Sequence, residues 1–433
     1  MGRITRKLIG TLPLFPRVRN HIFSGSNSWA EWRMVAKSYL FRTRYDDESI
    51  IQTYERVFAE KANTDFAFSF GAGRMALYSI LEALDVKEGD EIILPAYTCV
   101  VVPNAILYRG AIPVYVDIES ASCNIDVNKI EEVITSNTIA IFAQHTFGFP
   151  CDIAAINDIA KKHNLLVVED CAHAQGAKYE GQPVGSFGDV AFFSTDHSKV
   201  ASTFLGGMAI TRNPDIANRL RDIQSNAKYL PQNLHRKLLL GFIIEYPLYS
   251  SKTYWFGKFV LAALSRLRLI FFWRDELALE KPQIYPFPAR LSSVQAQLGL
   301  SQLHNLEDNI SHRKKVYTII DKALKLGIQN CDESACLRYS FYVKNRADFE
   351  SRMLYRWDLG VWFTSVLHGR NEKLQEVGYV EGSCPNAEFA AKNLVNIPTH
   401  QRISFKEIER MLDKNKSWIV RNCYESYSKE IKL

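Results

Sequence analysis

Short apolar runs alternate with stretches of helical spacing from residue 66 to residue 169, and that alternation sets the fold class. Residues 66–70, 91–95, 112–117, 139–144 and 165–169 read as strands, each too short and too evenly apolar for a surface helix. Between them, 74–84, 100–107, 127–134 and 153–163 read as helices, with Gly71-Ala-Gly73 and Gly89-Asp90 as punctuation. Strand–helix alternation implies an α/β fold: a mostly parallel central sheet with helices on both faces. Ligands in such sheets bind beyond the carboxyl ends of the strands. Asp170, Gln144-His145 and Ser194 fall at such ends.

From residue 305 the texture changes. A long helix over 305–326, a strand at 339–344 and helices over 348–359 and 404–415 point to a smaller C-terminal α+β domain. The chain divides into a basic N-terminal arm (1–47), a large domain (48–227), an apolar insertion (228–285), and an interface helix with the small domain (286–433). Its 433 residues suffice for one large core and a lesser one.

Charge is concentrated at the start. Residues 1–45 carry nine basic side chains against the single acid Glu31, more than the whole chain's net charge of +6. The remainder is slightly acidic, so no nucleic-acid partner is expected. The arm reads as solvated, with contact to an anionic membrane as the alternative. In the insertion, neither apolar run (237–245, 254–273) reaches the roughly 18 uncharged residues that a spanning helix needs. Lys258, Ser265, Arg266 and Arg268 fall on one helical face, which suits a helix lying on a membrane. A helical pair packed on the body or on a dimer partner fits as well. Eight cysteines without a C-x-x-C pair suggest reduced thiols and a cytoplasmic setting, with no metal site. Pro13 breaks the early apolar run, so no secretory signal is read there.

The chemistry is carried by a lysine and an acid. Lys199 ends the segment Ala191-Phe-Phe-Ser-Thr-Asp-His-Ser-Lys199, just before Gly206-Gly207, and Asp170 lies about thirty residues upstream at the end of an apolar strand. This is a pyridoxal phosphate arrangement: the lysine would form the Schiff base and the acid would keep the pyridine nitrogen protonated. Gly71-Ala72-Gly73-Arg74 opens a helix, whose backbone N–H groups attract a phosphate, and Ser194 could add a hydroxyl.

Five stretches together resemble one family: Gly89 to Pro95, Gly110 to Asp117, Glu169-Asp-Cys-Ala-His173, Gly185-Ser-Phe-Gly-Asp189, and Ser194 to Lys199 with its double glycine. They are similar to the sugar aminotransferases of DegT–DnrJ–StrS type, of fold type I among pyridoxal phosphate enzymes. Residues 290–307 resemble the family's helix after the active-site loop, and Gly360-Val-Trp-Phe363 fits its small domain. The resemblance implies catalytic roles for Lys199, Asp170 and His173, the last near the cofactor's 3-hydroxyl. It implies cofactor contacts from Gly73, Arg74 and Ser194, Cys99 where the family has a ring-stacking aromatic, and Arg290 reaching a dimer partner's phosphate. Three positions depart from the pattern: Arg74 for a small hydroxyl residue, Cys99 for the aromatic, and Arg290 for an asparagine. The implied reaction is transfer of an amino group, from L-glutamate, to a nucleotide-linked keto-sugar for polysaccharide or glycoconjugate synthesis, in a homodimer in the cytoplasm. Two other readings stand beside it: a sugar dehydratase of the same fold, which would use histidine in place of the lysine, and a non-catalytic membrane scaffold.

Overall fold

A computed structural model describes residues 21–273, 277–327, 331–353, 357, 359 and 362–424. The expectations for the first twenty residues and for Gly360-Val361 lie outside them.

Nine strands form the main sheet: β1 (Phe66–Phe70), β2 (Glu91–Pro95), β3 (Ile112–Val116), β4 (Thr138–Gln144), β5 (Leu166–Asp170), β6 (Val190–Ser194), β7 (Gly207–Thr211), β8 (Lys228–Tyr229) and β9 (Ala289–Arg290). Their spatial order is β8-β9-β1-β7-β6-β5-β4-β2-β3. The run β6-β5-β4-β2-β3 is parallel. Strand β7 pairs antiparallel with both β6 and β1. The α/β fold read from the sequence is therefore the fold observed, with an antiparallel edge added.

The helices are α1 (Trp29–Phe41), α2 (Glu48–Lys61), α3 (Gly73–Ala83), α4 (Val101–Leu107), α5 (Ile153–His163), α6 (Pro214–Asn226), α7 (Gln232–Leu248), α8 (Tyr254–Arg266), α9 (Ser293–His304), α10 (Leu306–Leu324), α11 (Arg346–Met353), α12 (Pro385–Asn393) and α13 (Phe405–Arg421). Residues 127–134, read as a helix, form two short 3-10 turns instead. Its apolar positions Val127, Ile130, Val133 and Ile134 still pack beneath β2–β5, so spacing was right and continuity was not.

Helix α1 lies in the segment read as an arm. Ser28 and Glu31 cap it reciprocally, each side chain bonding the other's backbone N–H. It packs on α7 of the insertion, where Trp32 Nε1 donates to the Ile243 carbonyl at 2.9 Å. The small domain is built on β10 (Arg338–Tyr342) paired with β11 (Leu394–Pro398), backed by α10 and α13. It reaches the main domain through a two-residue parallel pairing of Leu367–His368 with Thr98–Cys99. That pairing brings His368 to the ends of the main strands.

Candidate active site

Parallel register sets the carboxyl ends of three strands side by side. Gln144 pairs with Asp170, and Asp170 with Phe192, two residues before Ser194. A cavity of about 290 Å³ opens beyond these ends. Of the residues read from the sequence, Lys199, Asp170, His173, Gly73, Arg74, Ser194 and Cys99 all line it. Arg290 does not; its guanidinium pairs with Glu48 at 2.6 Å and lies over Tyr229.

Each glycine of the two motifs marks a close approach. A Cβ on Gly73 would come 2.8 Å from Ser194 Cβ, and one on Gly207 would come 2.5 Å from the Ala72 carbonyl. A Cβ on Gly206 would meet the hydroxyls of Thr195 and Thr203, which bond to each other at 2.7 Å and close the base of the lysine loop. Helix α3 therefore begins directly against the end of β6. Its N-cap, Ala72, makes no side-chain cap bond, so the first turn is suited to an anionic group.

The adjacent acids Glu169 and Asp170 do different work. Glu169 accepts the backbone N–H groups of Gly185, Phe187 and Gly188, and His145 Nε2 lies 3.0 Å from it. This accounts for Gly185-Ser-Phe-Gly188 as structural. His145, Glu169 and Cys171 bring ligand atoms within 4.8 Å of one another. Glu169 and His145 are already committed, because His145 Nδ1 also accepts the Cys151 N–H at 3.1 Å. Asp170 faces the cavity and accepts the Ala172 N–H at 2.9 Å. Burial pushes its carboxyl up to about 6, against the pull of that N–H, Lys199 and His145.

Burial lowers the Lys199 amine, with Asp196 and Asp170 opposing. Its Nζ sits 4.5 Å from the centre of the Trp362 ring. His173 stacks on the same ring at 5.0 Å. Burial, then Lys199, Arg338 and His368, hold His173 well below its ordinary value. Its Nδ1 accepts the Phe147 N–H at 3.3 Å, so the neutral ring carries its proton on Nε2.

Cys99 lines the cavity while Tyr97 does not. Tyr97 is fully buried, and its hydroxyl accepts the Phe363 N–H. Its ring packs edge-on against Phe363 and Phe147, so Tyr97 does not take the place of an aromatic at position 99. Several cavity residues had no sequence signal: Trp362 and His368 from the small domain, Phe23, and Phe272 and Trp273 from the insertion. Arg338 lies 5.2 Å from the Trp362 ring on the wholly buried first residue of β10.

A half-buried lysine in the loop beyond β6 and a buried acid at the end of β5 share one cavity at the carboxyl ends of a mostly parallel sheet, the layout of an α/β enzyme. The chain belongs to the DegT/DnrJ/EryC1/StrS aminotransferase family, whose sequence model matches residues 30–242 and 282–415. A GDP-perosamine synthase of Escherichia coli O157:H7 is 30% identical over 293 residues, 68% of each chain. A GDP-perosamine synthase of Caulobacter vibrioides is 28% identical over 372 residues, 84% of this chain and 88% of that one. The solved structure of DesV from S. venezuelae shares the fold, with a TM-score of 0.72 and 24% identity over 94% of this chain and 99% of that one.

Proposed function

We propose that this chain is a pyridoxal phosphate-dependent aminotransferase that passes an amino group, taken from L-glutamate, to the keto group of a nucleotide-linked sugar. The observation that carries the reading is the convergence of Lys199 and Asp170 on one buried cavity. The residues fit the cofactor. Asp170 is a carboxyl raised by burial, and a pyridinium beside it would favour its ionised form. Gly73, with no Cβ to fill the gap to Ser194, stands at an uncapped helix start whose backbone N–H groups would serve as donors to a phosphate.

Bound there, the cofactor supplies an electron sink for the donor's α-carbon. The protein's part is placement and proton traffic. Lys199, its amine lowered by burial, is neutral for part of the time and can take a proton and return it. His173 would offer its Nε2 proton to the cofactor's hydroxyl. Arg74 lines the same cavity, its guanidinium 5.9 Å from the Trp273 ring, and would meet the phosphate. The retained lysine favours an aminotransferase over a dehydratase. His197 is no substitute base, because Glu245 keeps it paired.

The active form is taken to be a homodimer in which Arg290 serves the partner's cavity. The setting is taken to be cytoplasmic. Among the described residues no helix is long and apolar enough to cross a membrane.

The test is the visible spectrum of the purified protein before and after L-glutamate. A lysine-bound band that L-glutamate removes, and that Lys199→Ala lacks from the outset, supports the reading. A band and turnover that survive Lys199→Ala would sink it.

A further inference from the structure

Helix α8 and the turn after it lie in the gap of the family match, between residues 242 and 282. Its inner face is Tyr254, Gly257 and Leu261, all buried, with Gly257 so close to α7 that a Cβ would come 2.8 Å from the Leu248 carbonyl. The opposite face is apolar too. Phe256 and Phe259, one turn apart, are 52% and 59% exposed, and Leu267 and Leu269 beyond the helix end are 68% and 48% exposed. Large apolar groups gathered on one short element and left in water mark a surface that is covered in use.

Charge says what covers it. Residues 251–273 contain Lys252, Lys258, Arg266 and Arg268 and no acid. Lys252, Arg266 and Arg268 are exposed. A second copy docking on the same patch would bring like charges face to face across a two-fold axis. A bilayer rich in acidic lipids complements both the charge and the apolar groups.

We propose that α8 and the residues after it dock this protein on an anionic lipid bilayer. Phe256, Phe259, Leu267 and Leu269 enter the boundary between headgroups and acyl chains, and Lys252, Arg266 and Arg268 meet lipid phosphates. The surface is tied to the reaction site by a short tether. Phe272, which lines the Lys199 cavity, follows exposed Leu269 by only three positions. That is at most roughly 10 Å of chain, so docking holds the cavity beside the membrane. The proposal does not depend on which reaction the cavity performs.

The test is sedimentation of the full-length protein with vesicles of phosphatidylcholine alone or mixed with phosphatidylglycerol, at low and high salt. The expected result is pelleting with the mixed vesicles only, reversed by salt. Phe256→Ser with Phe259→Ser, and separately Arg266→Glu with Arg268→Glu, should each weaken binding by roughly tenfold or more. Both pairs are exposed, so circular dichroism should match the unaltered protein. Three outcomes overturn the proposal. Pelleting could be indifferent to the acidic lipid. The phenylalanine variant could bind as well as the unaltered protein, which would transfer the role to the basic N-terminal residues. Or the same variant could halve the particle mass in solution while neither protein pellets, which would make the face a subunit interface.

Discussion

Glu245 of α7 places both carboxylate oxygens 3.0 Å from Nδ1 of His197, two residues before Lys199. Glu245 is 1% exposed and also accepts the Ser24 hydroxyl at 2.6 Å, while the Ser24 N–H donates to the His197 carbonyl. The insertion and the N-terminal segment thus meet at the lysine loop and fix it from the side away from the sheet.

This pair makes stability depend on pH. Burial opposes the charge on His197, but Glu245 and then Asp196 hold it up to about 9, above the ordinary 6.5. The native state therefore keeps an extra proton between those values. The pair's contribution is complete below 6.5 and fades as pH rises through about 9. Glu245→Gln should cost roughly 3 kcal/mol at pH 6, the low end of the usual loss for a buried ion pair with one partner removed, because the amide still reaches His197. The difference should shrink above pH 9. Urea unfolding at both pH values checks this, and a gap that ignores pH would refute it.

Asp170 trades stability for binding. Its carboxyl is raised from 3.8 to about 6, first by burial. The cofactor-free native state thus holds a proton that the unfolded chain has lost, and stability falls as pH rises from about 4 through 6. Asp170→Asn should stabilise the cofactor-free protein at pH 7.5 by as much as about 3 kcal/mol. The variant and the unaltered protein should converge below pH 4. The same variant should retain far less cofactor through gel filtration. A variant that is no more stable than the parent at pH 7.5 would contradict the account.

Two glycines separate steric need from backbone strain. Gly207→Ala would put a Cβ against the Ala72 carbonyl. It should cost about 3 kcal/mol and open the gap between α3 and β6, with loss of cofactor. Gly181 has φ +77° but nothing within 4 Å of a Cβ. Gly181→Ala should cost only about 1 kcal/mol and leave cofactor binding unchanged. Chemical unfolding and cofactor titration of both variants provide the comparison.

Arg290 distinguishes a dimer role from a local one. Its partner Glu48 is half exposed, so their ion pair should contribute at most about 1 kcal/mol. Arg290→Ala should leave stability nearly intact yet weaken cofactor binding in the dimer. Unchanged cofactor affinity would confine Arg290 to the pairing with Glu48.

The sheet, and the placing of Lys199, Asp170, Ser194 and Gly73 around one cavity at its strand ends, were legible because they are local. Each strand from β1 to β5 is a contiguous apolar run, and Asp170, Ser194 and Gly73 sit at run boundaries that length and punctuation reveal. The split of 127–134 into two turns was not legible, since apolar spacing fixes which side faces inward and leaves hydrogen bonding between successive turns undetermined. Helix α1 was hidden within a segment read whole as a basic arm, although it carries only Arg33 and Lys37 itself and Ser28 and Glu31 form the capping pair that marks its start. The different duties of Glu169 and Asp170 follow from alternation along β5, which turns one acid to the Gly185–Gly188 loop and the next to the cavity.

The sequence alone determined the fold class, the family and the Lys199–Asp170 pairing, because all three rest on patterns within a few dozen consecutive residues. Only the tertiary structure decided what surrounds that pair. Trp362, His368, Arg338, Trp273 and the Glu245–His197 contact come from segments tens to more than 150 residues away from Lys199, brought together by packing of the small domain and the insertion onto the strand ends. Contacts over such separations depend on which faces meet in the folded chain, and no local spacing encodes that.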